Sequence, residues 1–158
     1  MSGFRPGVRL GVDVGKARVG VARCDRDGLL ATPVETVTRT DPGAVARIAA
    51  LADEYGAVEI VVGLPVSLSG GETSSTSDAR AFAAEIVAAS GLPVRLVDER
   101  LSTVTAHDAL RRSGRSQRSS RSIVDQVAAV VLLQHALDIE KRTGRPAGEP
   151  VHPEEPPS

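Results

Sequence analysis

Three places along this 158-residue chain carry acidic side chains where apolar ones would be expected. The first is Asp13 in LGVDVGKARVGVA, the one acid of a strand–turn–strand pattern whose other charges, Lys16 and Arg18, belong to the turn. A buried carboxylate without a partner is costly, so it is either satisfied locally or kept for chemistry. As a turn acceptor it would bind nearby amides; as a ligand it would use Gly11 and Gly15, whose missing side chains let another backbone or a phosphate approach. The second is Asp98-Glu99, directly after the apolar run PVRLV. That is the carboxyl end of a strand, where open α/β sheets gather their chemistry, although in isolation an exposed Asp-Glu-Arg turn with weak surface pairs is the better reading. The third is Asp125 in RSIVDQVAAVVLLQHAL, a helix apolar on nearly every face. There Asp125 either points into a crowded interior or returns a hydrogen bond to Ser122 in a capping box.

Together the three sites suggest more than each does alone. Clustered carboxylates repel one another unless a cation neutralises them. Donors that are all oxygen, without His or Cys, suit Mg2+ or Mn2+. Such a cluster can hold two ions roughly 3.5–4 Å apart and cleave a phosphodiester by in-line attack of water.

The elements that must position these acids follow from the pattern. Strands are expected over Val8 to Val14, Arg18 to Asp25 and Leu29 to Val37, joined by short turns. A helix with Asp41 as its cap and Pro42 at its first position runs to Gly56. Strand Val58 to Val62, helix Ala79 to Ala89, strand Val94 to Val97 and helices Ser102 to Arg112 and Ser122 to Arg142 complete the order βββ-α-β-α-β-α-α. This predicts an α/β fold: a mixed five-stranded sheet with helices packed on it, in one domain over residues 1–142. Residues 143–158, with five prolines, read as a disordered tail.

Composition narrows the function classes. Net charge is −1, so attraction for nucleic acid must come from a local patch. Two Phe, one Tyr and no Trp make base stacking on aromatic platforms a poor fit. Cys24 is the single cysteine, which excludes an intrachain disulfide and a cysteine-rich zinc site; it reads as a small packing residue. No signal peptide or membrane span is expected, and the simplest location is cytoplasmic. His107, His135 and His152 share no ligand spacing. The basic patch is RRSGRSQRSSR, which places Arg111, Arg112, Arg115, Arg118 and Arg121 in a loop leading to Asp125. As phosphate contacts, each would add about −0.9 to the log–log salt slope of binding. Lys16 and Arg18 could meet the same backbone beside Asp13.

The segments GVDVGKARVGVA, VVGLPVSLSG, LVDERLSTVTA and SIVDQVAAVVLLQHAL, in this order, resemble the YqgF/RuvX family of Holliday-junction resolvases or pre-16S rRNA nucleases. That resemblance spans roughly residues 8–140 and implies the ribonuclease-H-like fold. It also implies a divalent-metal nuclease with Asp13, Glu99 and Asp125 as its acids, Asp98 supporting them, and a four-way DNA junction or precursor rRNA as partner. One departure is the loop Ser67-Leu68-Ser69-Gly70, where the family often has Asn-Met-Asp-Gly; this loop is therefore not counted as a metal site. Junction resolution, needing two symmetric cuts, would call for a homodimer. Two other classes compete: an actin-like or sugar-kinase-like ATP-binding protein, which shares the Asp-x-Gly hairpin but needs a second such domain, and a non-catalytic RNA-binding factor in transcription or ribosome assembly.

Overall fold

The computed structural model describes residues 4–67, 69–98 and 117–151. Its strands are β1 (Val8–Val14), β2 (Arg18–Cys24), β3 (Ala31–Thr38), β4 (Ala57–Leu64), β5 (Val94–Asp98) and β6 (Glu149–Pro150). Its helices are α1 (Ala44–Glu54), α2 (Ser74–Ser90) and α3 (Gln117–Thr143). The strands form one mixed sheet in the order β3-β2-β1-β4-β5-β6. β1, β2 and β3 pair antiparallel as hairpins, while β4 and β5 join parallel to β1 through helical crossovers.

Strand alternation divides the core in two. Leu10 and Val12 of β1, Val19 and Val21 of β2, and Ile60 and Val62 of β4 face α1 and α2, which contribute Ile48, Leu51, Phe82 and Ile86. The opposite face, with Ala22, Cys24, Val61 and Val97, receives Ala129, Leu132, Leu133, Ala136 and Leu137 of α3. The result is a sheet between two helical layers. Cys24 is buried there as expected, accepting a hydrogen bond from the Arg9 amide at 3.2 Å, and burial pushes its thiol pKa up.

Three expectations need correction. The sheet has six strands, not five, because the segment assigned to a structureless tail turns back after α3. Ala147 and Gly148 accept hydrogen bonds from the Arg95 side chain at 2.7 and 2.8 Å, and β6 pairs antiparallel with β5. Second, α2 begins at Ser74, five residues before Ala79. Thr73 and Thr76 form a reciprocal capping box, so the Ser/Thr tract starts the helix instead of leading up to it. Third, Asp41 does not cap α1. Its Oδ1 accepts from the Gly43 amide at 2.8 Å in a turn, and Gly43 is the capping residue.

At the end of β1 remote from Asp13, a buried ion network ties the chain start to the sheet and to α3. Glu140 accepts from Arg5 at 2.6 Å and from Arg9 at 3.0 Å, and Arg5 also reaches Glu59 at 3.1 Å. Arg9, Glu59 and Glu140 are at most 4% exposed. Charges buried this deeply persist only when paired and hydrogen-bonded.

Candidate active site

Asp13 lies near the carboxyl end of β1, half-buried, one residue beyond the registered pair Val12–Val62. Alternation puts it on the same face as Gly11, the face that α3 covers. Across the antiparallel ladder its Cα partner is Gly20 of β2. A Cβ at Gly20 would run into the backbone carbonyl of Asp125, so α3 rests directly on β2 there. Cα partners in such a ladder are about 4.5–5.5 Å apart. One aspartate from a strand and one from a helix therefore converge on a single point of the sheet, though 112 positions separate them in the chain (125 less 13).

The glycines flanking Asp13 serve this packing. A Cβ at Gly11 would lie 2.8 Å from Leu133 Cβ and 2.9 Å from the Ala129 carbonyl; Gly15 closes the β1–β2 turn, its amide donating to Arg18 O at 2.9 Å. The room at Gly11 is filled by a helix, not left open for a phosphate.

Asp125 is half-buried, its side chain 17% exposed, and accepts a hydrogen bond from Arg18 Nε at 2.7 Å. Because α3 begins at Gln117, Ser122 lies within the helix and not at its capping position. The neighbouring Gln126 donates to Thr36 Oγ1 of β3 at 3.0 Å.

The other expected residues divide by position. Asp98 ends β5 as an exposed residue, in register with Leu64. Since Val97 packs against α3, alternation turns Asp98 toward the other face of the sheet from Asp13. Arg118 and Arg121 belong to the first turns of α3 and not to a loop. Glu99, Arg111, Arg112 and Arg115 lie outside the described residues, as do the helix expected over Ser102 to Arg112 and His107 and His152. Lys16 lines an open cleft with Arg39, Ser74, Ser75 and Asp78.

Arg39 was not singled out by sequence, since nothing local marks it. It reaches back to the Asp13 turn: Nη1 donates to Gly15 O at 3.0 Å, and both terminal nitrogens fork onto Asp78 of α2 at 2.8 and 2.7 Å. Its guanidinium also lies 4.6 Å from the Phe82 ring centre. The hydrogen bond from Arg39 holds the Asp78 carboxyl below the usual carboxylate range.

As a donor set, Asp13 and Asp125 have the oxygen chemistry of a hard divalent cation's ligands, and their elements meet at Gly20, with a cationic partner already on Asp125. Among the described residues no group of three His, Cys, Asp or Glu side chains could hold a metal by itself, and Glu99 lies outside them. Among them, too, no helix is long and apolar enough to cross a membrane.

The model of the family described as "RuvX: Holliday junction resolvase" matches residues 7–139. A protein of Leifsonia xyli subsp. xyli named "Putative pre-16S rRNA nuclease" is 58% identical over 151 residues, covering 95% of this chain and 97% of its own. One of the same name from Streptomyces coelicolor is 54% identical over 150 residues, covering 94% and 90%. Among solved structures, RuvC of T. thermophilus in complex with a Holliday junction substrate superposes with a TM-score of 0.54 at 18% identity, over 89% of this chain and 99% of that one. That likeness identifies the fold as ribonuclease-H-like.

Proposed function

Because the chain belongs to the RuvX Holliday junction resolvase family, we propose that its active centre consists of Asp13, Glu99 and Asp125 holding a divalent cation, Mg2+ or Mn2+. The enzyme is a nuclease, a hydrolase of phosphodiester bonds. The observation that carries the site assignment is the convergence of Asp13 and Asp125 across Gly20.

A cation bound there supplies charge neutralisation at the phosphate and an activated water for in-line attack. The chain's own residues do the rest. The two aspartates are held by strand register and helix packing, so their geometry costs little reorganisation when substrate arrives. Glu99, next to the last residue of β5, is the third acid of this reading, and Asp98 supports it. Lys16, Arg111, Arg112, Arg115, Arg118 and Arg121 bind backbone phosphates of the substrate. Arg18, beside Asp125, belongs to the same positive rim.

The substrate is structured nucleic acid: a four-way DNA junction, as the family description has it, or precursor 16S rRNA, as the relatives' names have it. Junction resolution would be carried out by a homodimer, and the enzyme would work in the cytoplasm. The family match over residues 7–139 favours a nuclease over an ATP-binding protein or a non-catalytic RNA-binding factor.

The test is Mg2+-dependent cleavage of a labelled four-way junction and of a precursor rRNA 5′ segment by wild type and Asp13→Asn. The expected loss in the variant is at least about 100-fold with the fold retained. Equal activity of the two proteins would overturn the metal-site assignment, and the substrate cut by wild type identifies the reaction.

A further inference from the structure

Arg18 is the first residue of β2, and its Nε stands 2.7 Å from Asp125 Oδ2. The pair is neither buried nor free in solvent: the Arg18 side chain is 36% exposed and that of Asp125 17%. Both come from rigid elements, a strand and a long helix held together at Gly20. The guanidinium therefore engages, by packing and not by chance encounter, one oxygen of the carboxylate that the reading above gives to a metal ion. Two other described polar residues of this region are engaged elsewhere. Gln126 is turned to Thr36, and Arg39 is held by Gly15, Asp78 and Phe82.

A divalent cation seated on Asp125 would lie within a few ångströms of the Arg18 guanidinium, where like charges repel, and on Oδ2 it would compete for lone pairs that Arg18 already engages. We propose that Arg18 is the resident counter-ion of Asp125, a positioning residue that a divalent cation must displace to enter the site. The inference rests on Asp125 being a metal ligand. In the exchange Arg18 gives up its hydrogen bond and Asp125 gains a metal bond, and no covalent bond changes. Arg18 thus orients the carboxylate in advance and lowers the site's affinity for metal. Once displaced, its guanidinium lies beside the carboxylates, where a substrate phosphate can accept from it.

Mn2+ binding, followed by the electron paramagnetic resonance signal of the free ion, tests this without any cleavage assay. Arg18→Gln, which removes the charge, should bind Mn2+ about tenfold more tightly than wild type, the size of one charge-assisted hydrogen bond at a half-exposed position. Arg18→Lys keeps the charge but not the planar fork and should fall between them. The gain should vanish when Arg18→Gln is placed in an Asp125→Asn background. Circular dichroism confirms folding of each variant, and Arg18→Lys carries the test alone should Arg18→Gln fail to fold. Affinity in the Arg18 variants equal to or weaker than wild type, with Asp13→Asn still losing Mn2+, would overturn this inference and leave the metal site standing. No Mn2+ binding by wild type would overturn both.

Discussion

Asp13 of β1 and Gly20 of β2 are Cα partners, and the missing side chain of Gly20 is what lets the backbone of Asp125 settle over the same point of the sheet. In the proposed metal site neither aspartate suffices alone, and the position where their two elements meet is one with no functional group of its own.

Gly20→Ala should therefore damage function beyond its cost in stability. The added methyl meets the Asp125 carbonyl, which is backbone and cannot rotate away, so α3 has to lift. Overpacking of this kind costs about 1–3 kcal/mol. Gly11→Ala is the control, since its methyl also meets α3, at Ala129 and Leu133, about one and two turns beyond Asp125. Urea unfolding should place the two variants close together. Cleavage per folded molecule should fall only in Gly20→Ala, and equal losses in both would show that the helix contact as a whole matters and not its placement of Asp125.

Much of this arrangement was legible in the sequence, and the exceptions have physical causes. Strands β1 to β5 announce themselves by alternation and bounding turns. β6 does not: Glu149-Pro150 has no strand pattern, and its order comes from bonds its flanking main chain makes to the Arg95 side chain and the Val94 carbonyl, more than 50 residues earlier. The glycines beside Asp13 signalled close approach without saying of what, and α3 proved to be the visitor at Gly11. Arg18 was legible as a charge near the site, but its pairing with Asp125 spans 107 positions, beyond any local pattern. Arg39 left no trace for the same reason.

The buried network at the far end of β1 predicts an acid-sensitive fold. Burial alone would raise the Glu140 pKa, but hydrogen bonds from Arg5 and the charges of Arg5 and Arg9 outweigh it and hold the carboxyl below its usual range. The unfolded carboxyl titrates near 4.3, so this contribution is complete above about that pH and is lost as pH falls through the lower folded value. Glu140→Gln leaves Arg9 buried with less compensation and should cost about 3–5 kcal/mol at neutral pH. Urea unfolding at pH 7 and between pH 5 and 3 measures both effects. An acid limb as steep in the variant as in wild type would mean that other carboxylates govern acid unfolding.

The returning strand β6 should be worth measurable stability. Gly148 sits at φ +73°, and a Cβ there would strike the Leu96 carbonyl, so Gly148→Ala is strained in conformation and in contact. A penalty of about 2 kcal/mol corresponds to roughly 4–8 °C in melting temperature for a chain of this size. Truncation after Thr143 should lower it at least as far and also uncover the β5 edge, raising light scattering on heating. A truncated chain that melts like wild type would reduce β6 to an ornament of the sheet.

Arg39 offers a way to loosen the Asp13 turn without touching an acid. It bridges three elements: the β1–β2 turn through Gly15 O, and α2 through Asp78 and Phe82, from its own place just past β3. Asp78 is 45% exposed, so the ion pair itself contributes at most about 1 kcal/mol. The larger effect of Arg39→Ala should be local. With the Gly15 carbonyl released, the turn that follows Asp13 is held by the Gly15 amide's bond to Arg18 O and the residue 39 amide's bond to Ala17 O, and the amides of Gly15 to Ala17 should exchange hydrogen faster than in wild type. Turnover should fall about tenfold while global unfolding shifts little, since a turn that wanders carries Asp13 out of line with Asp125. Arg39→Lys should recover part of the loss, because one ammonium can reach either Gly15 or Asp78 but cannot form the fork that now spans them. If turn exchange in Arg39→Ala matches wild type while turnover drops, Arg39 acts on substrate directly from the cleft it shares with Lys16, Ser74 and Ser75.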